Sequence, residues 1–169
     1  MIIRQEKYTD IERIDAIIYA AFENHPQHAP GAEPTEHRIV RALRDDHALT
    51  LALLAETNGQ CVGHIALSPA TVGSDKDGWQ LLGPVAVLPV NQNQGIGSAL
   101  IREAIGQLRR QRAKGIVLVG DPALYTRFGF IHSPGLTWPG VPDQYVLALP
   151  FTNQQPTGTI TSHPAFLAG

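Results

Sequence analysis

The sequence has almost no cysteine, little net charge and no long apolar run, and each absence excludes a class of protein. With one cysteine, Cys61, it cannot form an internal disulfide, and it has no Cys-x-x-Cys pair for zinc or redox chemistry. Its longest nearly apolar run, residues 48–55, is far shorter than the about 18 residues that a membrane helix needs. No apolar stretch follows a basic start, so we expect no signal peptide. These absences predict a cytoplasmic protein with no membrane partner.

The charge balance is close to neutral. The 13 lysines and arginines stand against 15 aspartates and glutamates, which gives a net charge of −2. A broad nucleic-acid-binding face needs a basic excess, so we do not expect nucleic acid as a general partner. The length of 169 residues fits one domain with a sizeable core. We assign residues 1–150 to that domain and residues 151–169 to a C-terminal tail that packs on the domain or on a partner.

Hydrophobic spacing and turn residues divide the chain into strands and helices. Thr9 and Glu12 have the spacing of a capping box, Asn58-Gly59 predicts a hairpin, and Gly115 is expected to end a helix. We predict strands at residues 2–4, 49–56, 60–68, 79–88, 116–119 and 145–149, and helices at residues 9–22, 35–45, 94–112 and 122–128. This order predicts a mixed α/β (α+β) fold in which the crossover near residues 94–115 creates one parallel strand pair.

Among the 16 glycines and 13 prolines, one cluster has the physics of an anion site. Residues 85–100 run from a strand through a polar loop into a helix that starts near Gly95 and Gly97. Glycines let a ligand approach the backbone, and the free amides of a first helical turn favour a pyrophosphate. Leu100 replaces the third glycine of Gly-x-Gly-x-x-Gly, and no Gly-Lys-Ser/Thr exists, so neither a dinucleotide fold nor an NTPase is expected. A glycine-rich helix start without a ligand is the alternative.

Two motifs in order resemble the GNAT superfamily of N-acetyltransferases. Residues 92–97, Gln-Asn-Gln-Gly-Ile-Gly, are similar to its Gln/Arg-x-x-Gly-x-Gly/Ala signature, and residues 125–130, Tyr-Thr-Arg-Phe-Gly-Phe, to its Tyr-x-Lys/Arg-x-Gly-Phe element. The short segments at residues 63–64, 83–87 and 120–122 further resemble the YhbS-like branch of the family. The alternative is convergence on an unrelated α/β anion-binding domain.

The resemblance implies a GNAT-like, mostly antiparallel central sheet flanked by helices and splayed between the strands around residues 79–88 and 116–119. Pro84 suits the opening because it cannot donate a backbone hydrogen bond. Acetyl-CoA is implied as the co-substrate, and no metal is expected. The loop amides would hold its pyrophosphate, the strand edge would pair with the pantetheine arm, and an amide near Val87 would act as an oxyanion donor. The implied cofactor-binding residues are Val85, Ala86, Val87, Gln92, Asn93, Gln94, Gly95, Ile96, Gly97, Ser98, Asp121, Pro122, Tyr125 and Phe128.

Tyr125 is the candidate general acid, because a phenol with a pKa near 10 keeps its proton at neutral pH and can give it to the departing thiolate. The alternative for Tyr125 is a core aromatic residue. Many relatives carry an acidic base on the strand before the loop, but residues 79–88 contain no Asp or Glu. His64 is therefore a candidate base, and its alternative is a structural histidine. His132 and a water relay also stay open.

The proline-rich loop at residues 23–34 carries further polar candidates. It joins the first two predicted helices, and the resemblance to the GNAT superfamily implies that this loop borders the acceptor site, which makes Glu23, His25 and Glu33 candidates for recognising an amine. A solvated loop is the alternative reading. The histidines His25, His28 and His37 have no helical i, i+4 pair that would fix a metal.

We therefore predict an acetyl-CoA-dependent N-acetyltransferase that transfers acetyl directly to an amine in a ternary complex. The alternative is a non-catalytic acyl-CoA-binding sensor or interaction module. A metabolite, a peptide N-terminus, a lysine or an aminoacyl-tRNA each fits as the acceptor, because acceptor pockets lie on loops without a motif. Monomer and homodimer are both open.

Overall fold

A computed structural model describes residues 1–26 and 28–167 of the chain. Its strands are β1 (Ile2–Gln5), β2 (Leu51–Thr57), β3 (Gln60–Val72), β4 (Asp75–Val87), β5 (Gly115–Val119), β6 (Leu136–Thr137), β7 (Val146–Pro150) and β8 (Gly158–Thr161). Its α-helices are α1 (Ile11–Phe22), α2 (Glu36–Asp45), α3 (Ile96–Arg110) and α4 (Pro122–Tyr125).

The strands form a mixed sheet in the order β1-β2-β3-β4-β5-β7. β1 to β4 are antiparallel neighbours, β5 runs parallel to β4, and β7 runs antiparallel to β5. The β2–β3 hairpin turns at Asn58 and Gly59, whose φ angles are 52° and 78°, as its sequence predicts. The parallel pair follows from the crossover through α3. The predicted mixed, mostly antiparallel α/β fold is confirmed.

The sheet opens between β4 and β5. The two strands pair only over residues 79–81 and 115–117. Beyond that point β4 stays paired with β3 as far as Val87, while β5 stays paired with β7 as far as Val119. This is the splay that the resemblance implied.

A β-bulge lies where β4 turns away. Leu82 pairs with Leu67 and Val85 pairs with Ile65, so Gly83 and Pro84 together stand opposite one residue of β3. Gly83 has a φ of 140°, which a residue with a side chain rarely adopts. Pro84 has no N–H, but this removes no hydrogen bond between β3 and β4 because a bulge already interrupts the ladder there. A bulge also bends its strand, so this bulge directs β4 away from β5.

Helices cover both faces of the sheet. On one face α3 covers a buried cluster that includes Leu53, Ile65, Leu100, Ile116 and Phe130. On the other face α1 and α2 cover a cluster that includes Ile14, Ile18, Val40, Leu54 and Ala86. The open edge of β4 therefore lies between two helical layers.

The segment after the expected boundary at residue 150 contributes to the sheet. β8 pairs antiparallel with β3 and parallel with β6, and it buries Ile160. A 3-10 turn at Pro164–Leu167 follows, and His163 bonds Asp46 after α2 at 2.6 Å. The predicted strand at residues 145–149 is present as β7, but its prediction as the last strand is wrong because β8 follows it.

Two local predictions at helix ends are also wrong. A 3-10 turn at Tyr8–Asp10 precedes α1, and the N–H of Lys7 donates to the Asp10 carboxylate at 2.7 Å, so the cap is not formed by Thr9 and Glu12. Gly115 does not end a helix, since α3 ends at Arg110 and Gly115 begins β5. A Cβ at Gly115 would lie 2.5 Å from the Trp79 ring, so strand packing is what requires this glycine.

Candidate functional site

Beyond Leu81, the edge of β4 that faces the gap pairs with no strand in the described part of the chain. Leu88 donates its N–H to Val62 of β3 at 2.9 Å. Alternate residues of a strand direct their backbone groups to opposite edges, so Ala86 faces β3 while Val85 and Val87 face the gap. An extended ligand can pair with this edge as an added strand.

The loop after β4 turns sharply into α3. Asn93 and Gly95 have positive φ angles of 62° and 83°. The N–H of Ala99 donates to the Gly95 carbonyl at 3.0 Å and closes the first helical bond, so the amides of residues 96–98 have no partner within the helix. Together with the helix dipole, these amides form a site for an anion.

The two glycines leave space in front of those amides. A Cβ at Gly95 would meet no atom within 4 Å, and a Cβ at Gly97 would meet only the Val87 side chain, at 3.8 Å. Packing within the protein therefore does not require Gly97. Gln92 reaches back to the strand, where its Nε2 donates to the Val87 carbonyl at 3.1 Å. Asn93 and Gln94 are exposed.

Two arginines lie beside the first turn of α3. Arg127 donates to Oγ of Ser98 at 2.8 Å, and its guanidinium lies 4.9 Å from the centre of the Phe128 ring. Arg102 lies over the same ring at 4.8 Å. These contacts place two positive charges next to the anion site. The sequence analysis missed Arg102, although Arg102 follows Ser98 by one helical turn.

Tyr125 lies at the end of α4. Asp121 caps this short helix by accepting from the Ala123 N–H at 2.9 Å, and Pro122 is its first residue. The Tyr125 ring meets Phe130 edge-on at 6.1 Å. Burial raises the pKa of the Tyr125 hydroxyl, so the phenol holds its proton at neutral pH. A Cβ at Gly120 would lie 2.6 Å from the Tyr125 ring, so that glycine makes room for it.

A cavity of about 440 Å³ borders the open strand edge. One wall comes from β4 and the loop after it, and the other comes from the end of α1 and the residues that follow it. The lining residues are Ala20, Ala21, Phe22, Glu23, Asn24, His25, Pro26, Val85, Val87, Pro89 and Gln92. The structure thus brings the predicted strand edge together with Glu23 and His25 of the proline-rich loop.

His64 occupies a different environment. It is fully buried on β3, and its Nε2 lies 2.9 Å from Glu6, which also accepts from Arg44 at 2.7 and 3.0 Å. Burial raises the pKa of Glu6, but hydrogen bonds from His64 and Arg44 outweigh it and lower that pKa to about 2. His64 does not line the cavity described above. Its role as a base stays a prediction.

The remaining candidates have structural contacts of their own. His132 donates from Nδ1 to the Val146 carbonyl at 2.9 Å, and His28 bonds Glu36 at 3.0 Å. Cys61 is half-buried beside Arg4, and burial raises the pKa of its thiol. Among residues 1–26 and 28–167, no group of three or more His, Cys, Asp or Glu side chains could hold a metal. In the same residues, no helix has the length and apolarity to cross a membrane.

Sequence reasoning also missed the Glu6–Arg44–His64 network. Glu6 directly follows β1, Arg44 lies on α2 and His64 on β3, and nothing in their local sequence indicates that they meet.

Comparison with known proteins identifies the class. The family model described as the Acetyltransferase (GNAT) family matches residues 11–130. The chain therefore belongs to the GNAT acetyltransferase family.

The matches to individual relatives cover most of the chain. YhbS of Escherichia coli K12, described as an uncharacterized N-acetyltransferase, is 35% identical over 145 residues, which cover 83% of this chain and 81% of YhbS. The crystal structure of E. coli YhbS in complex with CoA superposes with a TM-score of 0.87 at 30% identity, covering 98% of this chain and 91% of that one. A GNAT family acetyltransferase from Brucella melitensis in complex with acetyl-CoA superposes with a TM-score of 0.84 at 42% identity, covering 98% and 97%.

Proposed function

We propose that this protein is an acetyl-CoA-dependent N-acetyltransferase that transfers acetyl directly to an amine in a ternary complex. The observation that carries this proposal is the open edge of β4 at Val85 and Val87, which leads straight into the glycine turn at the start of α3. An extended arm that ends in a pyrophosphate fits both features at once. The complexes of the two relatives with CoA and acetyl-CoA support the choice of substrate.

The residues fit acetyl-CoA in three places. The amides of residues 96–98 and the loop at residues 92–95 hold the pyrophosphate, and the space left by Gly97 lets it approach. Arg102 and Arg127 add positive charge beside the same turn. Val85 and Val87 pair with the pantetheine arm, and an amide near Val87 donates to the thioester carbonyl as charge develops on its oxygen.

Tyr125 is the proposed general acid. The nitrogen of a neutral amine attacks the thioester carbonyl carbon, the C–S bond breaks, and the Tyr125 hydroxyl gives its proton to the departing sulfur. Tyr125 packs against the same hydrophobic cluster as Val85 and Val87, which supports this role. For the proton that leaves the amine, the cavity favours a water relay over His64, because His64 is fully buried and bonded to Glu6.

Two measurements test the proposal. Acetyl-CoA should raise the Tm of the protein, as mass action requires for a ligand that binds only the folded state. Free-thiol release from acetyl-CoA should then depend on an added amine. Stabilisation without thiol release over a broad panel of amines would instead identify an acyl-CoA-binding sensor, and the absence of stabilisation would contradict acetyl-CoA binding.

A further inference from the structure

The end of α1 forms the wall of the cavity that faces the reactive edge of β4. Residues 20–26 line this wall, and Val85, Val87 and Gln92 line the opposite one. If the thioester lies along β4, as the proposed function requires, an amine that attacks it comes from the side of α1. The side chains on the α1 wall therefore contact the acceptor rather than the CoA arm.

The fixed charge on this wall is negative. Among the described residues that line the cavity, Glu23 is the one Asp or Glu, and none is Lys or Arg. His25 also lines the wall, where its ring contacts Phe22 at 5.4 Å and His28 at 5.8 Å between centroids. A carboxylate in a cavity with no lining Lys or Arg attracts a positively charged acceptor and repels a negatively charged one.

The backbone adds to the same field. The N–H of Glu23 donates to the Tyr19 carbonyl at 2.9 Å and closes α1, so the helix ends at the cavity wall. The C-terminal end of a helix carries a partial negative charge that favours a cation. Arg102 on α3 and Arg127, which bonds Ser98 beside the start of α3, do not line the cavity and so do not balance this charge.

We propose that the acceptor site selects amines that carry a second positive charge, and that Glu23 provides this selection. The proposal rests on the proposed function. It predicts poor turnover of acceptors that carry a carboxylate or phosphate close to the reactive amine, because such a group would enter the cavity without a cation to pair with. Glu23 is a specificity-determining residue here and takes no proton in the reaction.

The test uses three acceptors that share one reactive amine and differ at the far end of the chain. 1,5-Diaminopentane ends in an ammonium group, pentylamine in a methyl group and 5-aminopentanoate in a carboxylate. We expect kcat/KM for the diamine, halved because it has two equivalent amines, to exceed that of pentylamine by about tenfold, which equals ~1.4 kcal/mol. The value for 5-aminopentanoate should lie below that of pentylamine. Because Glu23 is exposed, NaCl should reduce the difference.

The variant Glu23→Gln should bring the three kcat/KM values to within about threefold of one another, and Glu23→Lys should reverse their order. Glu12→Gln makes the same change of charge on an exposed side chain at the opposite end of α1 and should keep the wild-type order. Equal kcat/KM values in the wild type, or a wild-type order retained in Glu23→Gln, would overturn the selection by Glu23 and leave the transferase function intact. Acetyl-CoA binding without acetylation of any of the three amines would also overturn this inference, whereas the proposed function fails only when no amine of the broader panel releases the thiol.

Discussion

Replacing Gly97 by alanine should change the stability of the free protein and its affinity for acetyl-CoA in opposite directions. Gly97 lies inside α3, and an added Cβ would meet only the Val87 side chain, at an ordinary contact distance of 3.8 Å. A Gly-to-Ala change in a helix stabilises by up to about 1 kcal/mol, because alanine loses less backbone freedom on folding. Gly97 is near the helix start, so we expect about 0.5 kcal/mol.

The same methyl group should obstruct the ligand. It would stand in front of the amides of residues 96–98, which have no partner within the helix. A hydrogen bond to a charged group contributes about 1.5–3 kcal/mol. Loss of one such bond to the pyrophosphate should therefore raise the Kd of acetyl-CoA about 10- to 100-fold.

Urea unfolding and titration calorimetry measure the two effects separately. Gly106→Ala is the matched control, since Gly106 lies on the same helix and its added Cβ would meet only the flexible Arg110 side chain, at 3.4 Å. It should stabilise the protein and leave the Kd unchanged. A Gly97→Ala protein that binds acetyl-CoA as tightly as the wild type would refute the pyrophosphate site, and so would an equal loss of affinity in Gly106→Ala.

Three further substitutions test other parts of the structure. Tyr125→Phe should lower kcat by about 100-fold, which is the low end of the effect of a general acid. It should also remove the loss of activity at high pH that titration of the phenol causes. A pH profile in which kcat is unchanged would refute the acid role. Glu6→Gln should cost about 3 kcal/mol at pH 7, because the pKa of Glu6 falls from 4.5 to about 2 on folding; that stability is complete above pH 4.5 and is lost as the pH falls toward 2. Urea unfolding should show that the difference in the free energy of unfolding between the wild type and Glu6→Gln disappears as the pH falls through this range. A difference that stays constant with pH would contradict the lowered pKa of Glu6. Gly115→Ala should destabilise the protein by about 1–3 kcal/mol in the same assay, since the added Cβ would lie 2.5 Å from Trp79 and 2.7 Å from the Leu149 carbonyl. Unchanged stability would show that β5 can shift to make room for it.

Features that depend on neighbouring residues were predictable from the sequence. The hairpin at Asn58-Gly59, the amphipathic α3 and the glycine turn before it each follow from local spacing. The motif at Tyr125 was recognisable for the same reason, since all of its members lie within one short segment.

Features that depend on distant residues were not predictable in the same way. His64 meets Glu6 across a separation of 58 residues, and the spacing in the chain carries no information about that contact. Gly115 was mistaken for a helix end because its actual constraint is Trp79 on the neighbouring strand. The wall that Glu23 contributes to the cavity likewise depends on how α1 crosses the sheet.

The bulge at Gly83 and Pro84 is a local feature that affects the whole site, because it determines which residues of β4 face the ligand. Trp79 and Leu81 face the side of the sheet away from α3, where they pack with Leu136 of β6 and Ile160 of β8, and Leu82 faces α3. Strict alternation from Leu82 would turn Val85 toward α1, yet Val85 packs with the α3 cluster and Ala86 with the α1 cluster. Because Gly83 and Pro84 stand opposite one residue of β3, every later residue of β4 points to the opposite face of the sheet from the one that strict alternation predicts. The bulge also bends the strand at this point. A single extra residue thus both opens the sheet and sets which backbone groups of β4 face the opening.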